Sequence, residues 1–160
     1  MHIRTIQTED RQAVWDIFHQ VVQKGDAYVF APDTSYEDFL EIWLGKGKYA
    51  YVAVLEEEIV GSYFIKANQM DLGSHVANAG FMVKPNQQGK GIGRALGQHA
   101  LAEAPELGFQ AMQFNMVIQT NQAAVRLWQS LGFQILATLP KVFQHQKLGL
   151  VDAYLMHRFL

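Results

Sequence analysis

Between a run of strand-forming residues, Val76 to Val83, and a helical run opening at Gly91 lies the segment Gln88-Gly89-Lys90-Gly91-Ile92-Gly93. Three glycines in five positions remove side chains where the backbone must turn sharply from one element into the next. The new helix then aims its free N–H groups and positive dipole end at whatever fills the turn, which makes the segment an anion cradle. A plain strand-to-helix turn would account for one glycine and leave two without a reason. The order strand, glycine loop, helix, strand sets an α/β (α+β) class for the chain, with a phosphate-bearing ligand as the expected guest.

Spacing decides which phosphate ligand. A dinucleotide fingerprint needs glycine at the first, third and sixth positions, yet counting from Gly89 puts Arg94 sixth, and counting from Gly91 puts Leu96 there. A nucleoside triphosphate loop needs glycine five residues before its Gly-Lys pair and a hydroxyl after it. Here Lys84 and Gly91 occupy those places. Neither pattern fits.

The flanking segments read clearly. Thr8 is positioned to cap a helix carrying Val14, Ile17, Phe18, Val21 and Val22, with Gly25 as its stop. Tyr36 to Leu44 reads as a second, short helix. Tyr49 to Leu55 and Ile59 to Ala67 flank three glutamates, Glu56 to Glu58, as a hairpin whose acidic turn faces water. Gly91 to Ala104 stacks Ile92, Leu96 and Ala100 on one face and is expected to stop at Pro105. Met112, Phe114, Met116 and Ile118 alternate with Gln113, Asn115 and Val117 as a strand. A helix from Asn121 presents Ala124, Leu127, Trp128 and Leu131, then ends at Gly132 with Phe133 placed to pack on Trp128. Phe133 to Phe143 and Asp152 to Phe159 read as two closing strands. No linker or repeat divides residues 1–160, so one domain is expected.

Gln88, two residues, Gly91, one residue, Gly93 resembles the Q/R-x-x-G-x-G/A signature of GNAT acetyltransferases, whose loop binds the coenzyme A pyrophosphate. Gly80-Phe81-Met82-Val83 resembles that family's fourth strand, and Asn121 to Phe133, ending in Leu-Gly-Phe, its second conserved motif. Thr120-Asn121, Leu127-Trp128, Leu139-Pro140, Phe143 and Val151-Asp152-Ala153 resemble a subgroup that includes acetyltransferases of small cyclic amino acids such as proline analogues. The resemblance spans nearly the whole chain. It implies one mixed central sheet with splayed fourth and fifth strands, about four flanking helices, and acetyl-CoA as cosubstrate. The implied reaction is direct attack by an amine within a ternary complex.

By the same resemblance, Phe81, Met82 and Val83 offer backbone groups to the pantetheine arm. Gln88, Gly89, Lys90, Gly91, Ile92, Gly93 and Arg94 surround the pyrophosphate, with Arg94 either adding a side-chain contact or standing solvated. Asn121, Ala124, Leu127 and Trp128 complete the cofactor side, where Trp128 is equally suited to the core. Two asparagines inside strands break the usual composition of strands. Asn78 shares a face with Gly80 and Met82, and Asn115 is expected to share one with Gln113 and Val117. Both amides could bond an acceptor carboxylate or the acetyl oxygen, or serve the backbone alone. Tyr28 and Phe30 in the loop between the first two helices, with Phe143 and His145 near the last hairpin, are placed on the acceptor side by analogy of position.

The sequence also departs from the family. Trp128 stands where many members carry a tyrosine that protonates the leaving thiolate, and indole N–H is no useful acid. Ala77 stands where some carry a glutamate base. His145, Tyr63 and Tyr154 are the reserve candidates for proton transfer.

Composition bounds what else the chain does. Thirteen Lys and Arg are scattered along it and the formal net charge is -2, which lacks the basic footprint of a nucleic-acid binder. No cysteine is present, so disulfides, thiolate metal sites and a thiol nucleophile are excluded. The six histidines show no metal-ligand spacing, and no metal is expected. No segment approaches the roughly 18 apolar residues of a membrane span, so a cytoplasmic protein with no membrane partner is expected. A small amine acceptor, amino-acid-like, is the expected partner; a protein N-terminus or lysine, a catalytically silent acyl-CoA-binding module, and a homodimer through the last strands stay open.

Overall fold

Turn and cap signals place most element ends where expected in the computed structural model, which describes residues 1–160. The strands are β1 His2–Thr5, β2 Lys48–Leu55, β3 Glu58–Ala67, β4 Val76–Val83, β5 Ala111–Ile118, β6 Gln134–His145 and β7 Gly149–Phe159. The helices are α1 Arg11–Gln23, α2 Tyr36–Leu44, α3 Ile92–Glu106 and α4 Gln122–Ser130. The strands form one mixed sheet in the order β1-β2-β3-β4-β5-β7-β6, antiparallel except for the β4–β5 pair.

Alternation along each strand sends residues to two separate cores. On one face Tyr63, Ala77, Met112, Phe114 and Met156 pack under Leu96 and Ala100 of α3 and Val125 and Trp128 of α4. On the other, Val52, Phe64 and Met82 pack under Val14 and Phe18 of α1 and Phe39 and Trp43 of α2. Trp43 is fully buried, and its indole N–H donates to Ser62 Oγ at 2.9 Å, which in turn donates to the Tyr51 carbonyl at 2.8 Å. That relay satisfies the only buried serine of the sheet, as burial of a hydroxyl requires.

Two local expectations are corrected and one element is new. The new element is β1, four residues of edge strand too short to carry a pattern. Thr8 opens a single 3-10 turn and makes no cap; the Asp10 carboxylate instead accepts the Gln7 N–H at 2.7 Å and a two-armed contact from Arg4 at 2.6 and 2.9 Å. Pro105 does not stop α3 but sits in its last turn. There Gly108 takes φ +91, Phe109 N–H bonds Ala104 C=O, and Gly108 N–H bonds Pro105 C=O. This is the glycine-capped helix end, which needs a residue tolerant of the left-handed region.

Two irregularities shape the middle of the sheet. β4 and β5 pair only at Val76–Ala111 and Ala77–Met112, and then diverge. In β5 the register with β7 slips between Phe114–Met156 and Val117–Tyr154, so Asn115 and Met116 form a bulge. The bulge overturns one face assignment. Val117 joins Met112 and Phe114 in the α3/α4 core, while Met116 packs with Ile118 on the opposite side, so Asn115 shares its face with Gln113 but not with Val117.

Candidate active site

The divergence of β4 from β5 exposes backbone groups, and the β3–β4 ladder says which ones. Lys84 N–H bonds Val60 C=O, and Asn68 N–H bonds Val76 C=O, both at 2.8 Å. The register between them is unbroken, so the residues paired to β3 through both backbone groups are Asn78, Gly80 and Met82. Ala79, Phe81 and Val83 therefore turn their N–H and C=O groups into the gap. Met82 drops out of the expected set: its backbone is committed opposite Ser62 and its side chain is buried beside Phe64.

One of these groups already has a partner. The Tyr28 hydroxyl donates to the Phe81 carbonyl. Tyr28 comes from the α1–α2 loop, stacks on Phe30 at 5.7 Å and meets Trp43 edge-on at 6.2 Å. Burial of the hydroxyl pushes its pKa well above the usual phenol range, so it stays protonated. Phe30 is tilted against Phe18 at 5.6 Å and backs this wall.

Above the gap, the glycine loop opens α3. Gly91 is the residue preceding the helix, at φ +80 and ψ 0, and a Cβ there would meet no atom within 4 Å. The left-handed backbone favours glycine there, and the space beside it is open. Gly93 differs, since a Cβ there would lie 3.4 Å from Leu127 and 3.8 Å from Val83, against α4 rather than in the cradle. Lys90 reaches Gln87 Oε1 at 2.7 Å. Arg94 is exposed on α3 and donates to Ser130 Oγ at 2.9 Å, tying α3 to α4. Asn121 caps α4 by accepting the Ala124 N–H at 3.2 Å. Trp128 packs on Phe81 and Phe114 at 4.7 and 4.8 Å. Ala124, Ile92 and Leu127 belong to the same core.

The face beneath α1 and α2 carries the two asparagines, and the structure brings them together. Asn115 Nδ2 donates to Asn68 Oδ1 at 2.8 Å, Asn78 Nδ2 to the same oxygen at 3.3 Å, and Gln113 Nε2 to Asn115 Oδ1 at 2.9 Å. Asn68, just past β3, was not read as a site residue; its only signal is another asparagine at a strand end.

Across the top of the gap the α1–α2 loop meets the β6–β7 hairpin through Gln146 N–H and Gly25 C=O at 3.0 Å. A cleft of roughly 400 Å³ lies there, lined by Lys24, Asp26, Gln88, Thr120, Asn121 and His145 among others. His145 Nδ1 accepts the N–H groups of Lys147 and Leu148 at 3.1 and 3.3 Å. The neutral ring in this arrangement carries its proton on Nε2, so it has no basic nitrogen to spare. Phe143 is corrected to the core, packed with Ile118, Val151 and Ala153. The other two reserve groups differ. Tyr63 bonds His99 Nδ1 at 2.6 Å with its pKa raised by burial, whereas the Tyr154 hydroxyl accepts from Gln119 at 2.9 Å and keeps its own proton to donate. A larger groove of about 720 Å³ between α3, the end of α4 and the end of β7 lies away from the gap. No group of three or more His, Asp or Glu is arranged to hold a metal ion.

The site is thus a splayed strand pair whose β4 edge turns backbone groups into the gap, below a glycine-rich turn at a helix N-terminus. Comparison with known proteins agrees. Residues 12–133 match the model of the acetyltransferase (GNAT) family, and the chain belongs to that family. It is 39% identical over 100 residues to N-acetyltransferase aca1 of Schizosaccharomyces pombe, covering 61% of this chain and 47% of that protein, about half of its length. It is 31% identical over 147 residues to the L-amino acid N-acyltransferase MnaT of Escherichia coli, covering 89% and 84%. Among solved structures, a GCN5-related N-acetyltransferase from Kribbella flavida superposes with a TM-score of 0.94 at 37% identity, covering 99% of this chain and 97% of that one. The putative acetyltransferase yncA from Salmonella typhimurium, solved with acetyl-CoA, gives 0.88 at 25% identity, covering 100% and 94%. The chain is an acetyl-CoA-dependent N-acyltransferase. No helix is long and apolar enough to cross a membrane.

Proposed function

We propose that this enzyme acetylates the amine of a small, amino-acid-like molecule, and that the gap between β4 and β5 is where cosubstrate and acceptor meet. The observation that carries this reading is the free backbone edge of Phe81 and Val83, flanked by the glycine cradle above and the asparagine cluster on the α1/α2 face. An L-amino acid N-acyltransferase among the relatives supports the acceptor class.

Acetyl-CoA supplies a thioester carbonyl and a thiol leaving group of ordinary acidity, pKa about 8.5. The residues present fit it. The Phe81 N–H lies in the gap as a donor for the acetyl oxygen, where charge develops during attack. Val83 offers an N–H and a C=O to the pantetheine arm. The N–H groups from Gln88 to Arg94, with the open space over Gly91, hold the pyrophosphate, and each charge-assisted bond contributes about 1.5–3 kcal/mol. Ile92, Asn121, Ala124, Leu127 and Trp128 shape that side through α3 and α4.

On the acceptor side, the Asn78 and Asn115 amides orient the polar groups of the amine substrate, and Tyr28 and His145 wall the approach. The proton balance follows from what is absent. Ala77 is buried and carries no base, Trp128 has no acidic proton, and Tyr28, Tyr63 and His145 are committed elsewhere. The amine is delivered neutral, attacks, and loses its proton to water in the cleft, while the thiol, of ordinary acidity, leaves as thiolate. Positioning then supplies most of the acceleration.

Thiol release from acetyl-CoA, measured against amino acids, proline analogues, polyamines and short peptides, tests the reading. Release dependent on amino-acid-like acceptors supports it. Release only with peptides would make the protein an N-terminal or lysine acetyltransferase, and tight acetyl-CoA binding without release would make it a silent acyl-CoA binder.

A further inference from the structure

Along β3, Phe64 packs under α2, so Lys66 and Asn68 stand on the same face of the sheet two and four residues further on. Lys66 is directly opposite Lys48 on β2 and directly opposite Asn78 on β4. Two ammonium groups facing each other across a ladder repel, and sheets ordinarily avoid the arrangement or neutralise it with a carboxylate. Here the two lysines stand opposite each other, and no ion pair neutralises Lys66. The three ion pairs of the molecule are Arg4–Asp10, Lys84–Glu58 and Lys141–Asp152, and Lys66 belongs to none.

The two lysines differ in what they do with their charge. Lys48 turns toward α2, where Nζ donates to the Glu41 carbonyl and lies 5.9 Å from the centre of the Phe64 ring. Desolvation, and secondly Lys66, lower its pKa, while Glu41 opposes the shift. Lys66 has no such anchor. It is half-buried, and its row continues across β4 with Asn78 and, one step past the last β4–β5 pair, Gln113, which stands opposite His157, itself opposite Gln134. No carboxylate stands anywhere in that row. The Asn68–Asn78–Asn115 cluster, which consumes one amide proton from each of Asn78 and Asn115, still has polar atoms to offer beside it.

We infer that Lys66 is the specificity determinant for the acceptor's carboxylate: its ammonium group and the neighbouring asparagine amides together bind that anion, and the site selects amino acids over simple amines. The inference rests on the proposed acceptor class and adds the charge that recognises it. An anion docked beside Lys66 would also relieve the repulsion with Lys48, so binding and the local energetics of the sheet favour the same state.

The test compares steady-state acetylation of a panel of amino acids with that of the corresponding amino acid amides, for wild type and for Lys66→Met and Lys66→Arg. Expected is a rise in KM of about tenfold or more for the acids in Lys66→Met, no change for the amides, no change in KM for acetyl-CoA, and substantial recovery in Lys66→Arg. Melting temperature controls for folding, since removing one of two opposed lysines is not expected to lower it. Equal shifts for acids and amides, or wild-type KM for acids in Lys66→Met, would overturn the inference while leaving the acetyltransferase reading intact. A wild-type enzyme that acetylates neither acids nor amides would overturn the small-molecule reading and this inference with it.

Discussion

Asn115 on β5 and Asn68 past the end of β3 are joined by a hydrogen bond of 2.8 Å that passes in front of β4, with Asn78 contributing to the same oxygen. Asn68 thus holds in register the two amides that stand beside the gap. Asn115→Ala is expected to lower kcat by about 10²-fold, the scale for losing one oriented donor, while the Kd for acetyl-CoA changes little. Asn68→Ala should reproduce part of this loss through disorder of its partners. Wild-type turnover in Asn115→Ala would return the cluster to a structural role.

Gly91→Val combines a forbidden backbone region with a side chain in the open cradle. Acetyl-CoA binding should be lost, read by calorimetry, with the circular dichroism spectrum unchanged. Gly93→Ala behaves differently, because its Cβ makes only ordinary contact with Leu127. Affinity should fall far less, and equal losses in both variants would show that the loop's shape matters rather than the space over Gly91.

Tyr28→Phe removes the hydroxyl from the Phe81 carbonyl and leaves the ring in place. Loss of one such bond costs about 1 kcal/mol of stability. The pH dependence of turnover should keep the shape of wild type, because a hydroxyl held protonated by burial takes no proton in the reaction. A lost limb in the pH–rate profile would identify Tyr28 as a base.

His145 separates into its two nitrogens. Asn places an acceptor near the position of Nδ1, so His145→Asn should keep the turn that receives the N–H groups of Lys147 and Leu148. His145→Gln should not, and its melting temperature should fall by the larger amount. If both variants lost turnover completely with the fold intact, the ring would be acting as a proton carrier.

Asp10 has its carboxyl held below the usual range, first by the Arg4 guanidinium hydrogen bonds, against an opposing desolvation, and then by the Gln7 N–H. Because the folded pKa is depressed, its contribution is present in full above the unfolded value of 3.8 and is lost as pH falls through the folded one. Asp10→Asn should therefore lower stability at pH 7 and flatten the acid limb of the stability profile below about pH 4. An unchanged acid limb would show that other carboxylates govern it.

How much of this was legible from residues alone depends on how local each determinant is. The helices α2 and α4 were readable because their apolar residues recur at helical spacing, Phe39, Leu40 and Trp43 in one and Ala124, Leu127 and Trp128 in the other. The glycine-rich turn before α3 was readable because it is confined to six consecutive positions. β1 was not, since four residues of edge strand carry almost no pattern and owe their form to pairing with β2. Arg94 was ambiguous because its partner, Ser130, lies 36 residues away. The face of Val117 was misread because a bulge leaves no mark in composition yet reverses the alternation beyond it.

The sequence by itself determined the class of fold, the family and the glycine-rich turn that opens α3, because these rest on the spacing of glycines, caps and apolar residues along a few turns of chain. Tertiary structure alone decided which backbone groups of β4 face the gap, that Met82 and Phe143 are core, that Asn68, Asn78 and Asn115 converge, and that Lys66 stands opposite Lys48 with no ion-pair partner. Each of those depends on register and strand divergence, which are set by pairing between segments distant in sequence. A shift of one residue in that pairing would send every one of these groups to the opposite side.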